Sequence, residues 1–230
     1  MVESIGNFDS HASNYEQALN ESLGIFGETS SYFAQYKLDI LTQYIDQREI
    51  KSVLDYGSGI GSSIPFIREN FPDSEVWATD LSIKSLEILK TSYPFTQISD
   101  SLSLPEKYFD LIFVSCVFHH IPVENRTEIM NQLFCHLSPN GRLVIFEHNP
   151  YNPVTRRIVS NCEFDDGVVL INNSSLKKLV LNASPKSKTK NGYCLFFPPF
   201  LSKLSYFEKF LRWLPFGGQY FVIAQNQNQK

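Results

Sequence analysis

Apolar positions along the chain recur with two different periods. Between Thr29 and Gln47, Phe33, Tyr36, Ile40, Leu41 and Tyr44 fall at helical spacing, and Asn14 to Leu23 reads as a shorter helix before them. From Ser52 the pattern alternates. Short apolar runs at Ser52–Tyr56, Glu75–Thr79, Thr96–Ser99, Phe109–Ser115 and Arg142–Glu147 predict strands. Between them, Ser62–Asn70, Ser82–Tyr93 and Val123–Leu137 predict helices, the last stopped by Pro139-Asn140-Gly141. Strands that take turns with helices pair in parallel through right-handed crossovers, so the expected fold is an open, mostly parallel α/β sheet with helices on both faces. The C-terminal part changes character: helix Asn172–Ala183, strand Tyr193–Phe197, helix Lys203–Trp213, then strand Gln219–Ala224 after a turn at Gly217-Gly218. Pro198-Pro199 forbids a central strand from continuing there. Hydrophilic Ser184–Asn191 reads as a loop, and Gln225–Lys230 as a frayed tail.

Composition narrows the class. The chain has 230 residues, 43% hydrophobic and 19% charged, which suits one globular domain. A net charge of −4 without any basic block gives no attraction for a phosphate backbone, so no nucleic-acid partner is expected. The first residues lack the basic-then-apolar order of a secretory signal, and the apolar stretches around Phe109–Val117 and Leu195–Leu201 are too short to span a bilayer. Cys116, Cys135, Cys162 and Cys194 form no CxxC, which indicates neither a zinc site nor a disulfide framework. A cytoplasmic location is the expectation.

The segment VLDYGSGIGSS, Val53 to Ser63, carries the chemistry. It sets Asp55, Gly57, Gly59 and Gly61 at alternate positions where a strand turns into a helix, with Ser58 between the glycines. Glycines there permit a tight turn and let a ligand approach backbone that a Cβ would obstruct. In open α/β sheets that crevice, beyond the carboxyl ends of the strands, is where ligands bind. A dinucleotide fingerprint would need glycine at Ser62. Asp55 would also repel a pyrophosphate, whereas a carboxylate attracts the ammonium and sulfonium of S-adenosylmethionine. Asp80, with Leu81 beside it, follows the second strand, where a carboxylate accepts from both ribose hydroxyls; it also stands where a helix start would use it as a cap. Asp100, next to Ser101, is placed to accept from the adenine amino group, or equally to stabilise a turn.

In order and spacing these residues resemble the class I S-adenosylmethionine-dependent methyltransferases, with specific motifs from Val53 to Glu147. FDLIFVSCVFHHI is similar to the family's fourth strand and the turn that cradles the methionine end of the cofactor, which implies roles for Ser115 and Cys116. LSPNGRLVIFE is similar to its passage into the fifth strand. The resemblance implies a Rossmann-like sheet of seven strands, the last antiparallel between the fifth and sixth, and Gln219–Ala224 fits that strand. FDSHASNYEQAL resembles the cover of small-molecule methyltransferases, with Phe8 and Tyr15 against the ligands. Residues 1–50 are then a helical cover of the same domain, and 51–230 the methyltransferase core. The run as a whole is similar to bacterial enzymes of small-molecule, secondary-metabolic or cell-surface sugar pathways.

Methyl transfer to a hydroxyl gains from a base, and His120 and His148 stand level for that role. His119-His120 invites a metal, but adjacent side chains rarely converge and no third ligand is evident, so no metal site is expected. Asn149-Pro150-Tyr151 resembles the Asn-Pro-Pro-Tyr motif of amino-methyltransferases but follows the fifth strand rather than the fourth. The acceptor is expected on His148–Arg157, against Tyr151 and the Arg156 fork, with Tyr15 in the cover; the alternative is that Arg156 and Arg157 are solvated charges opening a helix. Leu201–Leu214 is expected to pack on the sheet rather than rest on a membrane. A cofactor-binding regulator or partner subunit without turnover is the alternative from another class.

Overall fold

The computed structural model describes residues 30–101, 103–162 and 165–227. Seven strands, β1 (Ser52–Tyr56), β2 (Glu75–Thr79), β3 (Gln97–Ile98), β4 (Phe109–Ser115), β5 (Leu137–His148), β6 (Lys188–Cys194) and β7 (Gln219–Gln225), form one sheet in the order β3-β2-β1-β4-β5-β7-β6. All run parallel except β7, which pairs antiparallel with both β5 and β6. This is the Rossmann-like sheet that the motifs imply, with the last strand inserted between its fifth and sixth.

The helices are α1 (Ser30–Leu41), α2 (Ile64–Asn70), α3 (Ile83–Ser92), α4 (Arg126–His136), α5 (Pro153–Asn161), α6 (Asn173–Ala183) and α7 (Ser205–Leu211). The central strands are apolar on both faces because helices cover both. Val53, Leu111, Phe113, Val144 and Phe146 point to the side of α1 and α2, where Leu38, Leu41, Ile64 and Ile67 meet them. Leu54, Ile112, Val114, Leu143 and Ile145 point to the other side, against Met130 and Leu133 of α4 and Leu176 and Val180 of α6.

Several boundaries differ from the sequence expectation. Pro139-Asn140-Gly141 does not separate helix from strand. β5 already starts at Leu137, and the three residues form an irregularity in its pairing with β4, where Phe109 faces Leu137 but Leu111 faces Arg142. Asn140 takes a left-handed φ of 69°, and a Cβ on Gly141 would lie 2.7 Å from the Phe109 carbonyl oxygen. The hydrophilic stretch read as a loop supplies the edge strand β6, and residues 195–197 leave the sheet. Lysines at Lys188 and Lys190 suit an edge, where charge discourages pairing with other chains. The alternative in which Arg156 and Arg157 belong to a helix is the one observed, as α5; Asn152 caps it, its side chain accepting from the Thr155 N–H at 2.9 Å, with Pro153 in the first turn. The N-terminal helix and the expected cover residues Phe8 and Tyr15 lie outside the described residues. Among the described residues no helix is long and apolar enough to cross a membrane.

Candidate active site

β1 delivers the glycine loop to the carboxyl edge of the sheet. The N–H groups of Gly57 and Ser58 donate to the Thr79 carbonyl at 2.8 and 3.0 Å, and the Gly59 N–H donates to Asp80 Oδ2 at 2.8 Å. Gly57, at φ 74°, has no room for a side chain, since a Cβ would meet Val117 Cγ2 at 2.4 Å. Gly59, at φ 52°, and Gly57 both line a cavity of about 380 Å³, within the usual range of small-molecule sites.

Asp55, Ser58, Ser115, Cys116 and His148 line the same cavity, so the structure brings together the core of the expected cofactor set and one of the two expected bases. Asp55 is almost fully buried, and its Oδ2 has no hydrogen-bond partner among the described residues. Burial, reinforced by the Asp80 carboxylate and opposed by Lys37, pushes its carboxyl up to about 7. Gln219 Oε1, also on the cavity wall, is a second buried acceptor without a partner there. Two unsatisfied acceptors call for a ligand that donates hydrogen bonds and carries positive charge, which fits the ammonium end of S-adenosylmethionine.

Lys37, on α1, was not legible in the sequence. Its Nζ donates to Ser115 Oγ at 2.7 Å and reaches Cys116 Sγ at 3.5 Å. Cys116 is held at a left-handed φ of 59°. Burial opposes ionisation of its thiol, but Lys37 and His148 prevail and bring it down to about 6. The far wall is apolar: Phe33 from α1, Val154 and Ile158 from α5, and Phe196 and Phe197 from the loop after β6. That loop is pinned by buried Glu208, which accepts from the backbone N–H groups of Leu195, Phe196 and Phe197 at 3.3, 3.0 and 3.2 Å.

The remaining expected residues lie elsewhere. Gly61, Asp80, Leu81, Asp100 and Ser101 do not line the cavity. Asp80 ties the Gly59 N–H to the Ser82 N–H, 2.8 Å from its Oδ1, while Ser82 itself caps α3. Asp100 accepts from the Ser103 N–H and hydroxyl, both at 2.9 Å, as a turn aspartate does. Tyr151 is exposed and Arg156 lines a separate depression, so neither reaches the cavity. Asn149 is fully buried with its amide nitrogen donating to the Pro215 and Gly217 carbonyls at 3.0 and 2.8 Å, so the Asn-Pro-Tyr segment braces the turn before β7. His120 lies behind the wall. Contrary to the expectation for adjacent side chains, its ring and that of His119 converge, at a centroid distance of 4.1 Å, because they sit in a turn rather than on a strand. Burial and the neighbouring His119 hold His120 down at about 4. Burial raises Glu147, but its contact with His119 outweighs that and keeps it ionised.

Comparison with known proteins gives one family. A methyltransferase-domain model matches residues 30–184. Ribosomal RNA small subunit methyltransferase C of Haemophilus influenzae is 29% identical over 178 residues, covering 71% of this chain and 52% of that protein. Phosphoethanolamine N-methyltransferase of Plasmodium falciparum is 26% identical over 132 residues, covering 54% and 49%. The chain thus spans about half the length of these curated relatives. In fold it is similar to a SAM-dependent methyltransferase from Archaeoglobus fulgidus, with TM-score 0.68, 16% identity and coverage of 86% and 95%. A Thermotoga maritima structure described as a possible histamine N-methyltransferase gives TM-score 0.67, 16% identity and coverage of 96% and 98%. With the glycine loop, the buried Asp55 and the sheet order already in place, the chain belongs to the class I S-adenosylmethionine-dependent methyltransferases.

Proposed function

We propose that the protein transfers a methyl group from S-adenosylmethionine to a small molecule with an apolar body and a nucleophilic hydroxyl, amine or thiol. The observation that carries this is the two-sided cavity: a glycine-lined wall with buried Asp55 and Lys37, and an apolar, aromatic wall, with His148 also on the lining. When bound, the cofactor supplies a methyl group already activated on a sulfonium. The protein's part is then to position and to manage charge and one proton. Asp55 and Gln219 hold the cationic end. Phe33, Val154, Ile158, Phe196 and Phe197 exclude water and grip the acceptor's body. His148 takes the acceptor's proton as its nucleophile attacks. Tyr151 and Arg156 stand outside this wall, and the acceptor role expected of them moves to the cavity residues.

The ribosomal RNA methyltransferases among the relatives raise a second reading, a nucleic-acid acceptor. The acidic balance of −4 and the aromatic, enclosed wall favour the small molecule. A turnover assay for S-adenosylhomocysteine against phenols, amines, thiols, sugars, carboxylates and RNA tests both. Turnover with a small acceptor, reduced at least a hundredfold in His148→Gln with cofactor affinity kept, is the expected result. Turnover with RNA alone refutes the small-molecule proposal. Cofactor binding without any turnover points to the regulator or partner-subunit alternative.

A further inference from the structure

His119, His120 and Asp165 offer one ligand atom each, all within 4.8 Å of one another. The three come from two separate segments: the turn after β4 and the loop after α5. His119 Nε2 lies 3.3 Å from Asp165 Oδ1, and His120 Nε2 lies 3.4 Å from the same oxygen. With metal–ligand bonds of about 2.0–2.1 Å, the edges of a tetrahedral zinc site measure about 3.3–3.4 Å. An octahedral site with bonds of that length has edges of about 2.9 Å. The two edges that meet at Asp165 Oδ1 therefore match those of a tetrahedral zinc site.

The surroundings match a metal site beyond the three ligands. His119 Nδ1 is 2.7 Å from Glu147 Oε2, and the other oxygen of Glu147 accepts from the Phe118 N–H at 2.6 Å. A carboxylate on the far nitrogen of a histidine fixes the tautomer and aims the near nitrogen at an ion. Glu147 is fully buried and His119 almost so, which orients that ligand before any ion arrives. The loop that carries Asp165 is docked as well. Val169 donates its N–H to the His119 carbonyl at 3.3 Å, and buried Arg126 donates to the carbonyls of Ile121 and Val169. Asp165 also lines a surface depression of about 610 Å³.

We propose that His119, His120 and Asp165 bind a zinc ion, with the fourth corner open to water. Two imidazoles and one carboxylate select a borderline transition metal over magnesium or calcium, which prefer all-oxygen ligands. The ion fastens the loop after α5 to the end of β4. It also steadies the ring of His148, which packs edge-on against His119 at 5.0 Å. Its place is behind the acceptor wall, so it acts on the site through His148.

The test uses the full chain stripped with a chelator and given zinc chloride, with magnesium and calcium chlorides as controls. Metal analysis after buffer exchange is expected to find about one zinc per chain. Zinc alone should raise the thermal midpoint, and cobalt(II) in its place should give the intense visible absorption of a tetrahedral site. Asp165→Asn and His120→Gln should each weaken zinc binding at least tenfold and remove the cobalt band, while His136→Gln retains both. A wild-type chain that retains no zinc and shows no zinc-dependent midpoint overturns the proposal, whatever the variants do. Equal zinc binding by wild type, Asp165→Asn and His120→Gln overturns it too.

Discussion

In the cofactor-free chain Asp55 titrates at about 7, above the ordinary aspartate value of 3.8, because burial disfavours its charge. For folding, a raised carboxyl contributes stability that is fully present below the ordinary value and is lost as pH rises through about 7. For a cationic cofactor the sign is opposite, since only the ionised carboxylate attracts it. S-adenosylmethionine affinity should therefore climb between pH 5.5 and 7, approaching about tenfold per pH unit, and level off above. Calorimetry across that range checks it, and Asp55→Asn should bind more weakly with the slope gone; a slope that persists in the variant assigns the titration to another group. The glycines separate in a similar way. Gly59→Val should abolish cofactor binding, because its branched side chain would project from the glycine loop that lines the cavity. Gly57→Ala should instead lower the thermal midpoint, through its clash with Val117. Both carry about 1–2 kcal/mol of left-handed strain, so calorimetry of cofactor binding, rather than melting, distinguishes them. The sequence showed all three loop glycines and Asp55, but not which glycine serves the ligand, since that depends on where Val117 and Leu89 come to rest. Lys37 was invisible for a plainer reason: its partner Ser115 lies 78 positions away, and a lysine in an amphipathic helix looks like surface.

At the level of elements, β1, β2 and β4 fall where apolar alternation put them, since buried central strands leave a strong pattern. β6 began earlier than expected, because the first half of this edge strand is largely exposed and KTKNGYC has no apolar period. The start of α5 hid behind Pro150 and Pro153: a helix at Arg156 and Arg157 is one of two readings the sequence allows, but it does not show that Asn152 caps it with Pro153 in its first turn. The loop after β6 depends on α7. Glu208→Ala removes the acceptor of three successive backbone N–H groups, and an unsatisfied buried donor costs about 1–3 kcal/mol. Urea denaturation should show a loss of at least about 2 kcal/mol, and acceptor turnover should fall more than cofactor affinity. A Glu208→Ala chain as stable as wild type removes α7 as the support of the acceptor wall.

For the molecule as a whole, the segment expected to pack on the sheet does so only in part. Glu208 is buried, but Tyr206, Phe207, Phe210, Trp213 and Phe216 are exposed, with Trp213 at 77%. The periodicity of LSKLSYFEKFLRWL could not show this, because the face of α7 that turns inward is the one carrying a carboxylate. Replacing Phe210 and Trp213 by Glu should leave stability within about 0.5 kcal/mol per site, as for surface positions generally. It should also lower any concentration-dependent association seen by light scattering. A loss of several kcal/mol would show that these rings are covered in solution.

The place of β7 bears on how the protein is made. β6 pairs only with β7, and β7 alone joins it to β5. Gly218 and Gln219, at its entry, line the same cavity as Asp55 from β1. On the ribosome, the edge of β5 and its apolar faces thus wait for a partner that is translated more than seventy residues later. Synthesis of residues 219–225 is at once the event that shelters the nascent sheet and the event that first makes the ligand pocket whole. Until that strand is in place, the cavity lacks the wall that Gly218 and Gln219 supply.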